Sequence, residues 1–124
     1  MIKLMLLLSR KPGMTIADFR DYYENRHVPL ATSFAAPLVR YRRNYIIERT
    51  LGAPDCDCIT EVWYDLEGKW SDHRDSLVSA EMAEIIAQDE AQFLDRNATR
   101  IIVVEEVNSE PETLPGNRLD ASLQ

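Results

Sequence analysis

His27 closes a stripe of Phe19, Tyr23 and His27 within the segment TIADFRDYYENRHVPLATSF, so that an imidazole follows two aromatic rings at i, i+4 spacing. On a helix this spacing places all three side chains on one face and turns the imidazole towards the interior. Imidazole titrates closest to neutrality of all side chains, and in a mostly apolar pocket it can take up and return a proton within one reaction cycle. The alternative is a hydrogen-bonded core histidine, or a cation closing a helix C-terminus. A carboxylate with a similar placement lies downstream, where Met82, Ile86, Asp89 and Phe93 share a helical stripe with Ile85 beside it. Asp89 is either a proton partner or, with Gln92, a capping box that opens a short second helix carrying Phe93 and Leu94. Glu61, between Ile59 and Trp63 on one face of an alternating segment, is either a pocket residue or an edge-strand charge facing solvent.

Strands and helices must position these groups. Ile2 to Ser9 is almost continuously apolar, as a strand buried on both faces would be, and Pro12-Gly13 stops it with a turn. Thr15 caps the next helix with Asp18 three residues on, and Ile16, Phe19, Tyr23 and His27 form its buried stripe. Pro29 restricts Val28 and ends or bends that helix, which puts His27 in its last turn. There the helix dipole would favour the protonated ring and burial the neutral one. From Val39 to Arg49 the chain alternates, with Val39, Tyr41, Arg43, Tyr45 and Ile47 pointing one way and Arg40, Arg42, Asn44, Ile46 and Glu48 the other. Gly52, Pro54 and Asp55 mark a loop, Cys58 to Tyr64 reads as a third strand, Leu66 to Asp95 as helical, and Arg100 to Val107 as the last strand. The polar segment SEPETLPGNRLDASLQ has no periodicity. The expected division is a domain over residues 1–107 and, over 108–124, a flexible tail or an arm that crosses to another subunit.

Composition narrows the function classes. A chain of 124 residues with 45% hydrophobic content makes one domain with a real core. The run IKLMLLL resembles a signal-peptide core, but Lys3 interrupts it, Arg10 and Lys11 follow, and no small-residue cleavage site appears. No apolar stretch approaches the roughly 20 residues that span a bilayer. Cys56 and Cys58 are too close for an ordinary intrachain disulfide and lack the second pair of a structural zinc site, which suits a reducing cytoplasm. Net charge is −7, with nine Lys or Arg against four Asp or Glu in residues 1–50 and five against seventeen in residues 51–124. The basic residues Arg40, Arg42, Arg43 and Arg49 sit in an alternating strand, so the pattern reads as intramolecular or subunit-to-subunit charge matching, not a nucleic-acid footprint. His73, in WSDHRD, belongs to a charged helix face and should be solvated; far from His27, it makes no metal site. No Gly-rich phosphate loop or nucleophile elbow occurs.

The order strand, helix, strand, strand, helix, strand is that of an α+β, ferredoxin-like βαββαβ fold: an antiparallel four-stranded sheet with two helices on one face. The other face stays bare, yet strands one and four carry apolar residues on both faces. A patch of several hundred Å² is rarely left exposed on a monomer, so the expectation is a homodimer with sheets facing one another and a cavity in each half.

The opening strand with RKPGMT, then DFRDYYENRHVPLA, the YRRNY and ITEVWYD strands and IAQDEAQFLD together resemble the EthD domain family, within the dimeric α+β barrel superfamily. The likeness covers about residues 1–107, and the PGMT and HVPL pieces in this order are its most specific parts. It implies a dimer with a largely apolar pocket and cofactor-free cyclisation, dehydration or isomerisation of aromatic or polyketide-like molecules. The histidine of the HxP motif falls on His27, which the resemblance marks as the proton carrier.

Such a reaction asks little of the protein: a base removes the proton of a C–H next to a carbonyl or phenol, and an acid protonates the leaving or receiving atom. One imidazole serves both steps, with Asp89 orienting or charge-balancing it. Tyr41 and Tyr45, or alternatively Asn44, would hydrogen-bond a phenolate or enolate, according to which face of the second strand enters the pocket. Trp63 and Phe93 would stack on a ring, with Tyr23 and Glu61 completing the lining. The reading is thus a cofactor-independent lyase or isomerase. The alternatives are a cofactor-free monooxygenase of phenols and a non-catalytic small-molecule-binding dimer; haem would find only His27 as an axial ligand.

Overall fold

The computed structural model describes residues 1–34, 37–52 and 55–114. Pro54 of the expected loop and the tail beyond Leu114 lie outside the described residues. Four strands, β1 (Ile2–Leu8), β2 (Leu38–Tyr45), β3 (Cys58–Tyr64) and β4 (Arg100–Val104), form one sheet in the order β2-β3-β1-β4 with every pairing antiparallel. β1 is central, which explains its nearly unbroken apolar run. The second and last strands are shorter than their patterns suggested, stopping at Tyr45 and Val104.

Register sorts the side chains onto two faces. Leu4 pairs with Val62 and Val62 with Tyr41, while Leu8 pairs with Cys58 and Cys58 with Tyr45, so both tyrosines share the helix-covered face with Thr60. Lys3, Glu61, Trp63, Arg42 and Asn44 alternate onto the opposite face. The core under the helices centres on Phe19, Tyr23, Cys58 and Phe93, with a smaller cluster of Ile2, Leu4 and Val62 towards the other end.

Gly13 takes φ +83° in the turn after β1, a conformation that an L side chain resists, and Thr15 accepts the Asp18 N–H at 3.1 Å to open α1 (Ile16–Tyr22). The helix does not end at Pro29. It passes through a π turn (Tyr23–His27), in which the Val28 N–H bonds the Tyr23 carbonyl, and continues as α2 (Val28–Phe34). Proline inside a regular α-helix breaks one i→i−4 bond and crowds the carbonyl four residues back. A widened turn just before Pro29 absorbs that misfit where the sequence pattern had suggested a stop or a bend. His27 therefore sits mid-helix, and the helix-terminal dipole expected to act on it is absent.

Residues 66–95 are likewise not one helix. Only a 3-10 turn (Trp70–Asp72) and α3 (Ala80–Glu90) form, the latter capped by Ser79, whose side chain accepts the Met82 N–H at 3.1 Å. The intervening Ser and Asp residues compete for backbone partners, as Ser76 does in donating to the His73 carbonyl at 2.9 Å. His73, expected on a solvated helix face, instead donates from Nε2 to the Glu67 carbonyl at 2.5 Å.

A polar strut ties the π turn to the sheet. Glu24 receives Arg43 Nε and Nη2 at 2.9 and 2.7 Å and the Tyr45 hydroxyl at 2.5 Å. The Arg43 guanidinium holds the Glu24 carboxyl below the usual carboxylate range, against the opposing effect of burial. A depressed folded-state value contributes stability above the unfolded pKa and loses it as pH falls through the folded one. The thermal-midpoint gap between wild type and Glu24→Gln should therefore be largest near neutrality and shrink as pH falls below the ordinary carboxylate range. A gap independent of pH would show that the strut acts by shape alone.

Candidate functional site

The π turn decides what meets Asp89. On an α-helix residues five apart lie about 140° around the axis, too far to converge on one group. The wider turn between Tyr22 and His27 brings both onto the carboxylate at the last turn of α3. Tyr22 Oη donates to Asp89 Oδ1 at 2.6 Å, and His27 Nδ1 lies 2.7 Å from Asp89 Oδ2. A carboxylate accepts, so the bond places the proton of a neutral imidazole on Nδ1 and leaves the Nε2 lone pair unclaimed by Asp89. His27 is 8% exposed. Its ring lies 4.8 Å from that of Phe93 and 5.7 Å from that of Tyr23, centroid to centroid.

No helix opens at Asp89: both of its oxygens turn to Tyr22 and His27, and the residues that follow form turns. The capping alternative is thereby corrected, because Asp89 closes α3 and does not start a new helix. Tyr22 is pushed up to about 12 by burial and by its bond to Asp89, so it remains a donor across the neutral range. Beside the pair, burial raises the Glu90 carboxyl above the ordinary range, while His27 and Arg96 pull it back.

The other residues singled out in the sequence divide between the two faces of the sheet. Tyr23, Tyr41, Tyr45 and Phe93 lie on the His27 side. Tyr23 is buried, its hydroxyl 2.9 Å from that of Tyr41 and 2.7 Å from Thr60 Oγ1, and burial pushes its pKa upward. Tyr41 is pushed up to about 12 by burial. Tyr45 is spent on Glu24. Phe93 is 0% exposed and packed among Phe19, Tyr22, Tyr23 and His27, so it offers no free face for stacking in this conformation.

Asn44, Glu61 and Trp63 are on the far face. Asn44 donates to the Ile59 carbonyl at 2.9 Å and to Glu61 at 3.1 Å, and Lys3 pairs with Glu61 at 2.9 Å. Lys3 holds the Glu61 carboxyl low, with Asn44 assisting. β3 lies between β2 and β1, so Glu61 is not an edge-strand charge. Trp63 is overlaid by Lys3 at 4.4 Å, Arg40 at 5.2 Å and Arg42 at 5.3 Å. A groove of about 1070 Å³ at one end of the sheet is lined by Arg40, Trp63, Lys69 and Trp70. A second of about 360 Å³ is lined by Glu24, Arg43 and Tyr45. Neither reaches His27 or Asp89.

Among the described residues no group of three or more His, Cys, Asp or Glu side chains could hold a metal ion, and no helix is long and apolar enough to cross a membrane. Cys56 and Cys58 are free and buried, and burial pushes the Cys58 thiol up to about 11. Tyr22 and Glu90 escaped sequence reasoning. A pattern read at α-helical spacing puts Tyr22 on a different face from His27, and Glu90 has no neighbour in the sequence that marks it.

An antiparallel β2-β3-β1-β4 sheet with helices on one face makes this an α+β protein of ferredoxin-like topology, here with a histidine–aspartate pair held under its helices. The sequence profile of the EthD domain matches residues 11–97, and the chain belongs to the EthD domain family. No curated protein matches it. Among solved structures it is similar in fold to an ethyl tert-butyl ether D (EthD) family protein of Bacillus halodurans C-125, at 20% identity and TM-score 0.61, covering 86% of this chain and all of the other. A protein of Arabidopsis thaliana is similar at 14% identity and TM-score 0.58, over 89% of this chain and 99% of that one. One from Agrobacterium tumefaciens is similar at 14% identity and TM-score 0.52, over 90% and 98%.

Proposed function

We propose that this protein is a cofactor-independent lyase or isomerase of an aromatic or polyketide-like small molecule, with His27 as general acid and base and Asp89 as its orienting partner. The observation that carries the proposal is the 2.7 Å contact of His27 Nδ1 with Asp89 under an aromatic roof. Nε2 removes a proton from a carbon next to a carbonyl or phenol, and the imidazolium that forms is stabilised by Asp89. In a dehydration the same proton passes to the departing hydroxyl, which leaves as water; in an isomerisation it passes to the receiving carbon. The protein ends each cycle in its starting protonation state, and no external reductant or oxidant enters.

Access requires motion, since His27 is nearly enclosed. α2 contains no fully buried residue, so its displacement would open a path to His27 while α3 keeps Asp89 in place. The pairing is testable without a substrate. In an NMR titration with His27→Gln for assignment, Asp89→Asn should lower the midpoint of the His27 imidazole, because the counter-charge is gone. An unmoved midpoint would remove Asp89 from the proposal. A ligand that binds tightly and is recovered unchanged after long incubation would argue for a carrier instead.

The working unit in this reading is a homodimer. β4 is an edge strand whose Ile101, Ile102 and Val103 are 57%, 50% and 56% exposed, a liability that a second copy covering the open sheet face would remove. The Trp63 cluster of cations and carboxylates would then meet its own copy. Sedimentation should give twice the mass of the chain at micromolar concentration, and a monomer would refute the dimer. Free buried thiols support a reducing, cytoplasmic setting.

A further inference from the structure

We infer that Tyr22 is a positioning residue for the His27–Asp89 pair, its hydroxyl fixing the plane of the Asp89 carboxylate and sharing its charge; this rests on the proton-carrier reading of His27. An aspartate carboxylate swings broadly about its terminal torsion, and a single contact to His27 would leave it free to turn. Two contacts on two different oxygens, 2.6 Å to Tyr22 and 2.7 Å to His27, lock it. Tyr22 is fixed in turn by stacking on Phe93 at 5.2 Å and 24°, and the same phenyl lies 4.8 Å from the imidazole. One ring thus sets the distance between donor and base.

The hydroxyl also draws negative charge towards Oδ1 and away from the oxygen that faces His27. Tyr22 therefore limits how strongly Asp89 stabilises an imidazolium, and so how readily His27 gives its proton back. The other charged groups that bear on the pair are Arg26 from the π turn, and Glu90 of α3 with Arg96 beyond it. All three stay in place when the hydroxyl alone is removed.

The test uses the full-length protein and no substrate. Tyr22→Phe keeps the ring stacked on Phe93, and the two histidines are followed by NMR against pH. The His27 midpoint should rise by about half a unit or more, while His73 should not move. In an Asp89→Asn background the same Tyr22→Phe change should have no effect, because the influence passes through Asp89. If Tyr22→Phe leaves His27 unmoved while Asp89→Asn shifts it, the positioning role fails and the proton-carrier reading stands. If neither variant shifts His27, both fall. A second measurement needs no Tyr22 variant: in His27→Gln, which removes the imidazole proton bonded to Asp89, the hydroxyl proton of the 2.6 Å bond should still give a downfield signal, lost when Asp89→Ala is added. A signal that survives that change would overturn the assignment.

Discussion

His27→Gln is expected to fold as the wild type does and to lose turnover by a factor of order 10² or more, the usual contribution of a positioned general acid or base. Glutamine fills part of the imidazole volume, and its amide N–H can still donate to Asp89 Oδ2, so no buried carboxylate is left unpaired. What glutamine lacks is a ring nitrogen that can take up a proton and return it. A factor of 10² corresponds to about 2.7 kcal/mol of barrier, well outside the reach of small packing changes. The measurement is kcat/KM on an aromatic or polyketide-like substrate, with circular dichroism and the thermal midpoint as controls for folding. Asp89→Asn should also lower activity, because an amide can present N–H to Nδ1 and select the tautomer that protonates Nε2. A His27→Gln protein that turns substrate over at the wild-type rate would rule out His27 as the proton carrier.

Phe93→Ala should cost about 3–5 kcal/mol, a large share of the 5–15 kcal/mol that holds a typical domain together. Phe93 is wholly buried where three parts of the chain converge. It touches Phe19 and Tyr22 of α1 and Tyr23 and His27 of the π turn, while its own backbone accepts the Lys11 N–H at 2.8 Å from the loop after β1. Truncation leaves a cavity that these rigid rings cannot collapse to fill. Phe93→Leu should cost much less, because most of the volume remains. Urea denaturation at neutral pH reads both, and an unchanged slope confirms that the loss lies in the folded state. A loss below about 1 kcal/mol for Phe93→Ala would mean that the site is built on some other support. The same variant should weaken the hold on His27, which couples the stability of the core to the geometry of the pair.

Alternation and apolar runs settle the strands because their period is set by backbone geometry alone. β1 reads as central from its two apolar faces, and the alternation of Tyr41, Arg43 and Tyr45 places them together on one face. The order of elements along the chain, four strands of the right period and the family resemblance were all legible in 124 residues. The faces themselves were separable but not assignable. Whether Asn44 or the tyrosines stand on the His27 side depends on which face the helices cover, a fact of packing that no local pattern encodes. The first helix was legible in its start, at Thr15, because a cap is a contact over three residues, whereas the start of α3 at Ser79 was hidden in a helical pattern that ran from Leu66.

The middle of the first helix was not legible. Pro29 is locally a stop signal, and only the packed state makes it worthwhile to widen one turn and continue. That widening is what tertiary structure decided about function. It moved Tyr22 into register with His27 across five residues and met Asp89 from a helix 62 positions away, where the linear pattern left Asp89 open between cap and partner. By itself the sequence determined the fold and named both halves of the pair. Only the folded chain joined them, because a hydrogen bond between distant residues exists only once the intervening chain has been closed by burial of the rings around it.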